Sequence, residues 1–165
     1  KAPLWGSSFQ LQELGIITTA SIAEYALRAG FRVGLYVNQI TRFSQGMLTV
    51  PPSRHPDQLE RILEGLAQLH QVETVAMTRY VRQEARNLPW GSTLLMIAAQ
   101  PDEAMIATLL NLKRQGRSVV LVAIGGKPED IEPFNTGHFP IFRVSDEKAW
   151  QIVNEIGLKD PQDLD

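Results

Sequence analysis

Residues 92–124 leave this chain little choice of fold. Positions 92–99 (STLLMIAA) and 118–124 (SVVLVAI) are continuous apolar runs of strand length, the pattern of strands buried on both faces. Pro101-Asp102-Glu103 opens a helix between them, with proline and acids in the first turn as the helix dipole favours. Met105, Ile106, Leu109, Leu110 and Leu112 recur along it, and Gln115-Gly116 closes it. A strand, about a dozen helical residues and a second strand form a βαβ unit, which requires a parallel pair and a right-handed crossover.

The flanking segments extend that pattern. Ser7 or Ser8 can cap a first helix in which Leu11, Leu14, Thr18, Ile22 and Tyr25 recur at helical steps, and Gly30 stops it. Positions 31–37 (FRVGLYV) read as a doubly buried strand, 38–46 as polar turn, and 47–50 as a short strand ended by Pro51-Pro52. His55-Pro56-Asp57 opens the clearest helix, with Leu59, Ile62, Leu63, Leu66 and Leu69 on one stripe. Another helix follows Glu73 and is broken at Leu88-Pro89-Trp90-Gly91. Positions 141–144 read as a last strand, 146–156 as a closing helix with Trp150 inward, and 159–165 as a frayed tail. The expected architecture is a doubly wound, mostly parallel, Rossmann-like α/β sheet with helices on both faces, in one domain over 1–165.

Composition removes several classes of function. With no cysteine among 165 residues there is no disulfide framework, thiolate metal site or cysteine nucleophile. A net charge of −2 offers no basic excess for a phosphate backbone, so nucleic acid is not an expected partner. No apolar run approaches the ~20 residues of a membrane span, and the start lacks a signal segment. The chain begins at Lys1 rather than Met, which reads as an excised or processed piece whose anchor, if any, lies upstream.

In doubly wound sheets ligands bind beyond the carboxyl ends of strands, which here means Gln100-Pro101-Asp102-Glu103 and Gly125-Gly126-Lys127-Pro128. The glycine spacing fits neither the dinucleotide fingerprint nor the phosphate loop, and Pro128 removes an amide such a cradle needs. A turn is the favoured reading. Asp102 is a weak metal candidate that suits a helix cap better. His55, His70 and His138 stand at no ligand spacing, and Ser53-Arg54-His55 lacks a nucleophile elbow. Neither catalytic residues nor a cofactor are expected, and the chain is not expected to be an enzyme. Arg79, Arg82 and Arg86 share one helix face able to read an acidic partner. Trp5 and Trp90 lie in glycine-containing loops, where tryptophan favours interfaces. The interaction candidates are therefore Trp90, Arg79, Arg82 and Arg86.

Three motifs carry a family likeness: Ala20-Ser21-Ile22-Ala23, Gly30-Phe31-Arg32-Val33-Gly34-Leu35, and the block from Pro51 to Pro56 continuing through Leu59 and Leu63. Together they resemble the bacterial domain-of-unknown-function family 58, whose members look like von Willebrand factor A domains; with the later strands the similarity covers most of 5–155. The resemblance implies a protein-interaction module, an adaptor for a MoxR-type AAA+ ATPase, in a cytoplasmic domain of a membrane-anchored parent protein. It also implies a central first strand upstream of Lys1; a sheet lacking it invites pairing with a second chain, a homodimer included. The Asp-x-Ser-x-Ser metal motif of von Willebrand domains does not occur here, and Ala99-Gln100-Pro101 replaces the later aspartate. The alternative function is a small-molecule or nucleotide-binding enzyme using the strand ends near Gln100 and Gly125.

Overall fold

The computed structural model describes residues 4–40, 46–69 and 76–145. They divide into two compact units, one within residues 1–74 and the other within 75–147.

The first unit begins with α1 (Leu4–Arg28) and continues through β1 (Val33–Ile40), β2 (Met47–Ser53) and α2 (Gln58–Ala67). Helix α1 starts ahead of the two serines expected to cap it, so Trp5 belongs to a helix and not to a loop. The expected doubly buried strand at 31–37 and polar turn at 38–46 are replaced by a longer β1 paired antiparallel with β2. The reason is connection length. Only residues 41–46 separate the two strands, too few for the dozen or more that a parallel crossover needs.

Pro51 and Pro52 do not end β2, which runs on to Ser53. They sit where the register slips between the Val33–Ser53 and Leu35–Val50 pairs, the position in a ladder where residues without an N–H are tolerated. Gly34 faces this slip: a Cβ there would lie 2.9 Å from the Pro52 nitrogen and from the Val50 carbonyl oxygen. Gln58, 1% exposed, donates through Nε2 to the Val33 carbonyl at 2.7 Å and the Pro51 carbonyl at 2.9 Å. One buried amide thus ties α2 to both strands. Around it Ala23, Val50, Ile62 and Leu66 form a small core, flanked by Leu27, Val33 and Leu48.

The second unit holds the βαβ arrangement. Helix α3 (Met77–Ala85) is followed by β3 (Thr93–Ala99), α4 (Glu103–Arg114) and β4 (Ser118–Ile124). Next come the short α5 (Pro128–Ile131), a 3-10 turn (Glu132–Phe134) and β5 (Ile141–Val144). The strands form a parallel sheet in the order β3-β4-β5. One sheet face presents Leu94, Met96, Val119, Leu121 and Ile141 to Met105, Ile106, Leu109 and Leu112 of α4, with Val81 and Ala85 of α3 in the same core. On the opposite face Val122 and Ile124 of β4 and Val144 of β5 are also buried, as expected for parallel strands covered on both faces.

The class is mixed α/β with a Rossmann-like three-stranded parallel sheet, while β1 and β2 form a separate two-stranded ribbon. The expected closing helix at 146–156 with Trp150, the tail at 159–165 and His70 lie outside the described residues. Among the described residues no helix is long and apolar enough to cross a membrane.

Candidate functional site

A cleft of the second unit depends on how α4 ends. Gly116 adopts φ +85°, a left-handed conformation that costs glycine little. With it the Gly116 N–H reaches the Lys113 carbonyl at 2.9 Å and the Arg117 N–H reaches the Leu112 carbonyl at 3.1 Å, the pair of bonds of a Schellman motif. Arg117 is thereby placed at the entrance to β4. Because Thr93 is the register partner of Ser118, the loop that precedes β3 runs beside that entrance. Arg117 Nη1 donates to the carbonyls of Leu88 at 3.0 Å and Pro89 at 3.2 Å in this loop. Its guanidinium also lies over the Trp90 ring, 5.1 Å from the centroid. A planar guanidinium can donate along its edge and stack through its face at once. Trp90 is 82% exposed, the most exposed of the large apolar side chains described.

The end of α3 supplies the opposite wall. Arg82 Nη2 donates to Thr108 Oγ1 at 3.3 Å, and the buried Thr108 hydroxyl donates to the Ala104 carbonyl at 2.8 Å. Arg82, Arg86, Trp90, Thr108, Asn111, Gln115 and Arg117 line a cleft of about 390 Å³, with Ala85 and Leu112 as its apolar part. No carboxylate lines it. The ion pair among the described residues is Arg28–Glu24, and His55 Nδ1 stands by the Asp57 carboxylate, so none of the three arginines is neutralised by a described acid. The carboxyl ends of α3 and α4 oppose them only in part, since a helix terminus carries about half a charge, so the cleft stays net positive. The cleft is a cation-rich recess with one displayed aromatic ring.

A smaller crevice, of about 280 Å³, lies beyond the carboxyl ends of β3 and β4 and is lined by Gln100, Pro101, Ala123, Gly125, Gly126, Asp130 and Ile131. Gln100 stands at φ +50°, the one described non-glycine residue with positive φ. Lys127 turns its backbone N–H to the Asp130 carboxylate at 2.8 Å, and that carboxylate would lie 3.3 Å from a Cβ at Gly126. An acid therefore occupies the place a phosphate would need.

The remaining sequence candidates separate in space. Arg79 is exposed on α3 and does not line the cleft that holds Arg82 and Arg86. Asp102 caps α4, its carboxylate accepting the Met105 N–H at 2.8 Å. His55, read as solvated and unpaired, is exposed but has Nδ1 3.4 Å from the Asp57 carboxylate, a surface pair of small energetic consequence. Ser53 Oγ accepts the His55 N–H at 3.1 Å, which makes the segment a turn. His138 is an exposed loop residue. Among the described residues no group of three or more His, Asp or Glu side chains is placed to hold a metal.

Sequence reasoning missed Arg117, Thr108, Asn111 and Gln115. The signal for Arg117 was present in the βαβ assignment. Pairing 93–99 in parallel with 118–124 places the residue before one strand beside the loop before the other. No family model matches the chain, and no curated protein matches it.

Proposed function

We propose that the chain is a protein-interaction module that docks its partner in the Trp90–Arg117 cleft. The observation that carries this reading is the display of Trp90, which is almost fully exposed yet braced by a cation that also bonds its own loop. Holding a large ring in water has no benefit to the isolated fold, whereas tryptophan and arginine are the residues in which interface energy concentrates. A ring fixed before binding also loses less entropy when a partner closes on it.

The likeness to von Willebrand A-type domains supports the same class of function and suggests the partner, a MoxR-type AAA+ ATPase served by an adaptor on the cytoplasmic side of a membrane-anchored protein. Binding of the purified ATPase tests this by calorimetry. Trp90→Ala is expected to weaken it about 30-fold, the effect of a hot-spot residue worth 2 kcal/mol, and Arg82→Ala to weaken it further. Undiminished binding by the double variant would remove the surface.

A second reading places a small molecule in the Gln100–Gly125 crevice, and Gln100 favours it, since positive φ outside glycine gathers at ligand sites. A ligand at 100 times its dissociation constant adds about 2.7 kcal/mol of stability. A thermal-shift panel of nucleotides, divalent cations and cationic metabolites detects that gain, and a flat panel ends the reading.

A further inference from the structure

We infer that the segment bound in this cleft is acidic: a peptide stretch whose carboxylates meet Arg82 and Arg86 while an apolar side chain packs on Trp90. The inference rests on the docking reading above and adds the chemistry of the partner to it. Three observations point the same way. The lining holds three guanidinium groups and no carboxylate. The donors free to meet a ligand outnumber the acceptors, because Arg86 has no partner among the described groups and Arg82 only a 3.3 Å bond to Thr108. A neutral or basic segment would leave these cations desolvated and unpaired, at the cost of buried unsatisfied charge. Carboxylates instead match the planar forks of arginine in pairs of charge-assisted bonds.

The ring distinguishes a peptide from a bare anion. Trp90 lies at the cleft with Arg117 on its face, and the apolar part of the lining is Ala85 and Leu112. An occupant with both charge and hydrocarbon fits this arrangement. Single-stranded nucleic acid also stacks on aromatic rings and pairs with arginine, but a net charge of −2 offers no basic excess for tracking a phosphate backbone.

The test uses the whole chain and two fluorescein-labelled peptides, one of glutamates around a central leucine pair and one with glutamine in place of every glutamate. Fluorescence anisotropy should show saturable binding of the acidic peptide and at least about tenfold weaker binding of the glutamine peptide, equivalent to about 1.4 kcal/mol. Raising salt from about 0.05 M to 0.5 M shortens the screening length below 10 Å and should weaken the acidic complex by a similar factor. The double variant Arg82→Gln, Arg86→Gln alters exposed side chains, and it should bind the acidic peptide about tenfold less well with an unchanged circular dichroism spectrum.

Equal binding of the two peptides, binding of neither, or preference for a labelled oligothymidylate overturns the inference. The two proposals fail separately. An ATPase complex weakened by Trp90→Ala but indifferent to salt and to the arginine changes keeps the docking surface and discards the acidic partner. Acidic peptide bound with Trp90→Ala having no effect discards the docking reading.

Discussion

Replacing Gln58 with leucine removes the buried amide that ties α2 to both strands of the ribbon and should be costly. The Gln58 amide is 1% exposed and donates to the carbonyls of Val33 and Pro51 at 2.7 and 2.9 Å. Its orientation follows from chemistry, since turning the amide over would aim Oε1 at two carbonyl oxygens. Leucine has nearly the same reach and no donor. Two carbonyls would each lose a hydrogen bond, at roughly 1–3 kcal/mol for each acceptor left dry. Two effects offset part of this cost: leucine is better suited to the apolar surroundings, and Gln58 Oε1 itself has no partner, so deleting it relieves an existing penalty of similar kind. The expected net loss is about 2 kcal/mol.

Urea unfolding followed by far-ultraviolet circular dichroism measures the loss, and amide exchange in β1 and β2 locates it. The location matters because two compact units can unfold in separate steps. Gln58→Glu supplies the control, with a buried charge facing two carbonyl oxygens, and should cost more than leucine. A leucine variant as stable as the parent, or a glutamate variant better than the leucine one, would refute the bridging role.

Three further substitutions probe separate links. Gly34→Ala should destabilise the ribbon by about 1–3 kcal/mol in the same urea assay, because its Cβ would meet backbone atoms of Val50 and Pro52 at 2.9 Å that cannot swing aside. Leu109→Ala, at a fully buried position between α4 and the parallel sheet, should cost about 2–5 kcal/mol through the cavity it leaves; a loss below 1 kcal/mol would mean that the core collapses around it. Asp102→Ala should cost about 1 kcal/mol by exposing the Met105 N–H that the carboxylate caps, and Asp102→Asn should recover most of it.

The parallel sheet was legible because each signal agreed with the next. Residues 93–99 and 118–124 are apolar without interruption, Asp102 and Gly116 mark the helix ends, and no other connection suits two such strands. The ribbon was misread because the apolar residues of 33–37 resemble those of a doubly buried strand, and the local pattern does not report the partner. The short link between β1 and β2 held the correction. Likewise Pro51-Pro52 reads as a strand end when judged by propensity alone, yet a register slip accommodates it. At the site, Trp90, Arg82 and Arg86 were accessible to sequence reasoning because exposed loop tryptophans and helical arginines are recognisable individually. Thr108, Asn111 and Gln115 were not, because their role comes only from the packing of α4 beside α3. Small-molecule sites gather beyond the carboxyl ends of the strands, whereas the larger of the two clefts opens beside the strand starts.

That position makes Arg117 the residue on which the cleft's geometry depends, and Arg117→Lys separates its two contributions. As a charge, Arg117 is replaceable, since lysine keeps the cation at nearly the same reach. As a brace it is not. The guanidinium bonds the Leu88 and Pro89 carbonyls while its face covers Trp90, and an ammonium lacks the plane needed to do both. If Arg117 serves chiefly to hold the tryptophan in place, lysine should behave like alanine. Peptide affinity should fall about tenfold for both variants, and the association rate should carry much of the change because a loosened ring must be ordered again at each encounter. Acrylamide quenching of Trp90, in a chain whose Trp5 and Trp150 are replaced by phenylalanine, should rise to the same extent in both. If Arg117 serves as charge, lysine should retain the parent affinity and only alanine should lose it. A lysine variant with parental affinity and parental quenching would show that the loop holds Trp90 without the brace, and the docking surface would then be set by the Leu88–Gly91 turn itself.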